Sequence, residues 1–83
     1  MTFKREQEIR IEEKNYYIID VIELESQEYI YVQEIQNDEL VENYKIYKYN
    51  KELNMMEQVK DDAQAEKLLK LFIENINKDL GEE

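Results

Sequence analysis

The sequence predicts an α+β fold: an antiparallel meander of four to five strands with one C-terminal amphipathic helix packed on one sheet face. Up to residue 59, Ile, Val and Tyr occur in short alternating runs separated by polar breaks, a pattern typical of β-strands. Beyond residue 60, the apolar residues recur with the period of an α-helix. Because 83 residues bury only a modest core, we expect one domain over residues 1–83.

The predicted strands are joined by short polar turns, as in a meander. They are expected at about 7–12, 16–24, 29–35, 44–49 and 54–59. Tyr16–Leu24 is apolar at most positions on both faces, which indicates a central strand that is covered on both sides. Glu13–Asn15 is expected to form the turn before it, and the polar, acidic stretch Gln36–Asn43 is expected to be a loop.

The register of the central hairpin stays open, because its loop Glu25–Glu28 contains neither Gly nor Asn. With an even number of loop residues, one face carries an aliphatic set: Ile19, Val21, Ile30 and Val32. The other face then carries a tyrosine set: Ile18, Ile22, Tyr29 and Tyr31. An odd number would exchange the faces of the second strand.

A helix is predicted over about 62–80. Its apolar stripe follows the spacing of one helix face: Ala65, Leu68, Leu69, Phe72, Ile73, Ile76 and Leu80. Asp61 is the expected N-cap, with Gln64 three residues later, and Gly81 stands where a C-terminal cap belongs. We expect the stripe to cover the aliphatic set, which would leave the tyrosine set without a cover.

The net charge of −10 is unevenly distributed, since neither Lys nor Arg occurs between Asn15 and Tyr44. Such a stretch is a poor ligand for a phosphate backbone, so we expect no direct nucleic-acid binding, and it would repel anionic membranes. A basic protein surface is the partner that the charge favours, although the acids could also serve only solubility. The apolar runs are far shorter than the ~20 residues that span a bilayer, and no leader pattern follows Met1, so we expect a cytoplasmic protein.

The sequence offers little catalytic chemistry. It has no His, Cys or Trp, and only one Gly, so serine- or cysteine-based triads, the usual zinc sites and phosphate-binding glycine loops are excluded. The densest oxygen clusters are Asn37–Glu39 and Asp61-Asp62, and neither has the spacing of a calcium-binding EF-hand loop. We therefore expect a non-enzyme with no cofactor and no metal site.

The candidate interaction surface is the face or edge of the central hairpin that the helix is expected to leave open, together with the acids at its rim. Its residues are Asp20, Ile22, Glu25, Glu28, Tyr29, Tyr31 and Glu34. Tyrosines on an uncovered, acid-rimmed face suit protein binding or self-association. Asp20 interrupts an apolar face and has two interpretations. In the first, it is a carboxylate at the sheet edge, either in water or bonded to Lys45, Lys48 or a tyrosine hydroxyl. In the second, it is a buried acid in a binding groove.

Three functional hypotheses follow. The first is a non-catalytic interaction module that binds an unknown protein with a basic surface, or a second copy of itself. The second is a nucleic-acid mimic, in which carboxylates such as Glu25, Glu28 and Glu34 replace phosphates and block a basic DNA- or RNA-binding protein. The third is a cation-binding protein or enzyme that uses carboxylates alone.

Two segments carry a family resemblance. Ile18–Glu23 followed by Glu28–Val32, and later Val59–Asp62 followed by Leu68 and Phe72, resemble the motifs of a small acidic bacterial family, catalogued as domain of unknown function 1292. The match covers about Ile18–Phe72. The chain departs from the family where Ser26 replaces a usual glycine and Gln58 a usual proline. The resemblance implies a meander-plus-helix architecture and carries no catalytic residues.

Overall fold

The computed structural model describes residues 2–80, with side chains through residue 78, and within this range confirms the α+β meander. Five antiparallel strands form one curled sheet in the order β1-β2-β3-β4-β5, followed by one helix. Their bounds are β1 Glu8–Ile11, β2 Lys14–Leu24, β3 Gln27–Gln36, β4 Glu39–Asn50, β5 Met55–Gln58 and α1 Asp62–Leu80. The predicted cap Gly81 lies outside the described residues, as does the side chain of Leu80 in the predicted stripe.

Each of the first three hairpins turns on two residues with positive φ. These are Glu12-Glu13 (51° and 71°), Glu25-Ser26 (54° and 66°) and Asn37-Asp38 (52° and 64°). Two left-handed residues define a type I′ turn, whose twist matches that of the flanking strands. The prediction of a loop over residues 36–43 is therefore wrong, because Asn37-Asp38 turns the chain by itself. The first turn likewise lies at Glu12-Glu13 rather than at 13–15.

A β-bulge in β2 decides which side chains share a face. Ile18 pairs with Val32 and Asp20 pairs with Tyr31, so Ile19 is an extra residue without a partner in β3. The two-residue turn is even, and it places Val21 opposite Ile30 and Ile22 opposite Tyr29. The bulge nevertheless moves Ile18 to the face of Val21 and Ile30, contrary to the even-loop prediction.

The sheet buries a cluster on each face. The inner core, on one face, consists of Ile11, Tyr16, Ile18, Val21, Ile30, Val32 and Tyr47, with Phe3, Ile9 and Met56 packed against it. The helix core, on the other face, consists of Tyr29, Ile46, Leu68 and Phe72, flanked by Ile22, Leu24, Tyr31, Val59, Leu69 and Leu71.

The helix therefore packs on the tyrosine face, and the prediction that it covers the aliphatic set is wrong. The ring of Phe72 lies 5.4 Å from that of Tyr31, between centroids. The aliphatic face needs no helix, because the curl of the sheet brings Ile11 of β1 and Tyr47 of β4 into the same cluster, and Phe3 joins them from the N-terminal segment. The sheet and the N-terminal segment together complete the burial of that face.

The predicted N-cap is confirmed. The Gln64 backbone N–H donates to Asp61 Oδ2 at 3.1 Å, and Ala65 N–H donates to the Asp61 carbonyl oxygen at 2.8 Å. The first bond satisfies an amide that a helix leaves unpaired in its first turn, and the second is the first i→i−4 bond of the helix.

Candidate protein-interaction surface

The helix covers most of the surface that the sequence put forward. Among the seven candidates, four are buried: Asp20, Glu28, Tyr29 and Glu34. Ile22 and Tyr31 are half-buried beside the helix, and only Glu25, in a turn, is exposed. Whether any of these residues contacts a partner stays a prediction, but four of them are not accessible on this chain.

Asp20 of β2 is buried, and its hydrogen bonds connect the strand to the segment before β1 and to the helix. It is 1% exposed, and its Oδ1 accepts a hydrogen bond from Arg5 Nε at 2.6 Å within an ion pair. Its Oδ2 accepts from Asn75 Nδ2 of the helix at 2.9 Å. The interpretation of Asp20 as an edge acid in water or bonded to Lys45, Lys48 or a tyrosine is therefore wrong. A buried carboxylate whose two oxygens both accept hydrogen bonds stabilises the fold.

Glu28 fastens the N-terminal segment, residues 2–7, to the inner side of the sheet. Its two carboxylate oxygens accept the backbone N–H groups of Thr2 (3.1 Å) and Phe3 (2.8 Å). The Phe3 ring then meets Tyr49 edge-to-face, with 5.1 Å between centroids. The two hydrogen bonds to its carboxylate explain how Glu28 can be buried, with only 2% of its surface exposed.

Glu34 organises an irregular part of β4. Its carboxylate accepts hydrogen bonds from the side-chain amides of Gln36 and Asn43. Between the pairs Gln33–Tyr44 and Ile35–Leu40, β4 contains extra residues. The amide bonds, chiefly that of Gln36, lower the pKa of Glu34, and the positive charges of Lys14 and Lys45 contribute further. This acid therefore also has a local structural role.

The described residues leave one end of the helix-bearing face uncovered. The strand pairing places Tyr17, Gln33 and Tyr44 side by side, and Ile35 opposite Leu40, on the same face as Tyr31. Leu40 is 53% exposed and Tyr44 is 48% exposed, while Tyr17 and Ile35 are half-buried. We call Tyr17, Ile35, Leu40 and Tyr44 the open patch.

Two hollows border the open patch. A cleft of about 350 Å³ lies among Tyr17, Ile35 and Leu40 and is bordered by Glu8 and Asp38. On the other side of Tyr44, a groove of about 240 Å³ runs beneath the first half of the helix, between Ile46, Val59 and Leu69. In protein complexes, the anchor residues of a partner usually bind in apolar pockets next to exposed aromatic side chains.

Tyr44 is tied to the core through a row of rings. Its centroid lies 5.9 Å from that of Tyr31, which in turn packs on Phe72. Burial raises the pKa of Tyr31, and the neighbouring Tyr44 raises it further, so its phenol stays neutral at ordinary pH. An exposed aromatic residue held by such a row loses little conformational freedom on binding.

The border of the open patch is mainly acidic. Glu8, Asp38 and Glu42 are exposed there, in β1, in a turn and in the irregular part of β4. Two bases lie nearby, and both donate hydrogen bonds: Lys45, which lines the groove beside Tyr44, donates to Tyr16 Oη at 3.3 Å, and Arg10 donates to Asn15 Oδ1 at 3.2 Å. The local charge has the same sign as the net charge of −10. This arrangement favours a basic partner.

Sequence reasoning missed the open patch for an identifiable reason. Leu40 belongs to β4 only if the chain turns at Asn37-Asp38, whereas the sequence placed Leu40 in a loop and began the strand at Tyr44. The dipeptide was a usable signal, because Asn and Asp tolerate the left-handed conformation that a type I′ turn requires.

Two kinds of feature are absent from the part of the chain that the structure describes. No group of three or more metal-ligating side chains lies close enough to hold a metal ion there. No helix among these residues is both long and apolar enough to cross a membrane.

No family model, no curated protein and no solved structure matches this chain. The resemblance to the acidic family of unknown function therefore stays a prediction.

Proposed function

We propose that this chain is a small non-catalytic interaction module that binds a basic protein surface through the open patch. The observation that carries the proposal is that exposed aromatic and aliphatic side chains stand at one end of an otherwise covered sheet face, with acids at the border. We also propose that it acts in the cytoplasm, which the lack of cysteine suits.

The partner is expected to offer an apolar or aromatic centre with Lys and Arg around it. Its centre would fill the hollows beside Tyr44 and Leu40, and its bases would meet Glu8, Asp38 and Glu42. The apolar contacts would supply most of the affinity, whereas the exposed charges would chiefly speed association and select the partner. A second copy is a poorer partner, because two chains of charge −10 repel each other.

The nucleic-acid mimic receives less support. Of the three carboxylates that would replace phosphates, Glu28 and Glu34 are buried and already accept hydrogen bonds. Only Glu25 of that set is exposed.

The test compares capture of proteins from a lysate of the source cells by three forms of the chain. The wild type and Leu53→Ser, which alters an exposed leucine outside the patch, should retain the same basic protein. The double variant Leu40→Ser/Tyr44→Ser should lose it. Because all three altered side chains are about half exposed or more, each variant is expected to fold, which a circular dichroism melt would check.

Capture that is equal for the patch and control variants would refute the open patch as the binding surface. A wild-type protein that retains no specific partner at low or moderate salt would refute the interaction module itself.

A further inference from the structure

A second feature lies on the opposite side of the helix, where the outer edge of β2 is only partly covered. β1 pairs with β2 from Lys14 to Tyr17, and the N-terminal segment adds two main-chain hydrogen bonds at Ile18, of 2.8 and 2.9 Å. Within residues 2–80, no other strand pairs with this edge over Val21–Leu24. An edge strand directs alternate N–H and C=O groups outward.

A groove of about 430 Å³ follows this edge, between β2 and the second half of α1. Ile22, Leu24 and Leu71 provide its apolar lining, and Glu74 and Lys78 of the helix provide charges. Glu23 borders the groove from the edge of β2, where strand alternation places it on the same face as Val21. Val21 also borders the groove, although its side chain belongs to the inner core. The groove therefore reaches the main chain of the strand as well as its side chains.

These observations fit one mode of recognition. An extended peptide can add to an exposed strand edge, so that its main chain pairs with the edge and every second side chain enters the adjacent groove. Both parts of such a site are present here, since the open edge and the apolar groove lie side by side. A small rounded ligand would use the groove and leave the edge unpaired.

The charges around the groove indicate what the peptide would carry. Glu23 and Glu74 are exposed at the groove, where Lys78 is the base in the lining, and the nearby Arg5 is already ion-paired with Asp20. A peptide with Lys or Arg beside its apolar residues would complement this border. A second copy of the chain would bring the same acids against them.

We propose that this groove, with the edge Val21–Leu24, is a peptide-binding site. Its ligand is an extended segment with alternating aliphatic residues and at least one flanking base, which joins the sheet as a strand next to β2. The site is separate from the open patch, so neither proposal depends on the other.

The probe is a phage-displayed library of random dodecapeptides, selected against the full chain. Selected peptides should share the alternating aliphatic and basic pattern. On binding of a synthetic selected peptide, amide hydrogen exchange should slow at alternate residues within Val21–Leu24, because only the outward N–H groups gain a partner.

Two charge-reversal variants distinguish the site from general attraction. Glu23→Lys/Glu74→Lys should weaken peptide binding about tenfold, as expected when two exposed ion pairs become repulsive. Glu57→Lys/Glu66→Lys changes the net charge equally at exposed positions elsewhere and should change binding by less than about twofold.

Four results would overturn the proposal. They are selection of no binding peptide, equal weakening by both double variants, exchange that slows elsewhere but not at Val21–Leu24, and a dimer in light scattering whose interface protects Val21–Leu24. The lysate experiment on the open patch can succeed or fail independently of each of these results.

Discussion

The turn of the central hairpin offers a prediction of increased stability. Glu25 and Ser26 are both exposed and adopt φ of 54° and 66°, a conformation that costs a residue other than glycine roughly 1–2 kcal/mol. In Glu25→Asn/Ser26→Gly, asparagine recovers part of this cost and glycine nearly all of it. Glycine also gains about 0.5–1 kcal/mol of entropy in the unfolded chain, which offsets part of the benefit.

The expected net gain is about 1 kcal/mol in the free energy of unfolding. For a domain of this size, that corresponds to a rise of roughly 4–8 °C in Tm, measured by circular dichroism, with a matching rise in the urea midpoint. The control is Lys51→Asn/Glu52→Gly, which places the same dipeptide at exposed turn residues without positive φ. There the added glycine should leave Tm unchanged or lower it.

A Tm for Glu25→Asn/Ser26→Gly that is unchanged or lower would refute the type I′ turn. It would then also refute the pairing of Leu24 with Gln27 and, with it, the assignment of side chains to the two faces.

Three further predictions concern polar groups in the sheet. Asp20→Ala should lower the free energy of unfolding by about 3 kcal/mol in urea melts, because Arg5 and Asn75 lose their shared acceptor. The control Asp38→Ala, at an exposed turn, should change the free energy of unfolding by less than about 1 kcal/mol. The pKa of Glu34 in the folded protein lies below its usual 4.5. Its stabilising effect is therefore complete above pH 4.5 and is lost as the pH falls through the folded-state pKa. Glu34→Gln should make the acid side of a stability-versus-pH curve less steep. Burial raises the pKa values of Tyr31 and, more strongly, Tyr47 above the usual 10.0, so an ultraviolet titration should show late-ionising phenols, and Tyr47→Phe should remove the latest step. A titration in which every tyrosine ionises near pH 10 would contradict the burial of Tyr47.

The elements that the sequence predicted well depend on local patterns. The helix, its cap at Asp61 and the order of the strands follow from periodicity and capping chemistry within a few residues. The turns were harder, because Glu12-Glu13 and Glu25-Ser26 adopt left-handed conformations that their residue types do not favour. β2, β3 and β4 therefore extend further than the sequence indicated, whereas β1 and β5 are shorter than predicted.

The choice of sheet face depends on long-range features. A single bulge at Ile19 reverses the alternation of β2, and no residue type there signals it. The curl of the sheet and the return of Phe3 cover the inner core, so the helix packs on the tyrosines instead. The burial of Asp20 and Glu28 likewise depends on the N-terminal segment, which shows only a weak pattern in the sequence.

The most direct test of the account is photo-cross-linking from the open patch. A photoreactive phenylalanine analogue such as p-benzoylphenylalanine replaces Tyr44 in one form of the chain and Leu53, an exposed residue outside the patch, in another. The account predicts that position 44 becomes covalently joined to a basic protein of the source cells, and that position 53 does not. Cross-linking of the same protein from position 53 alone, or from neither position, would contradict it.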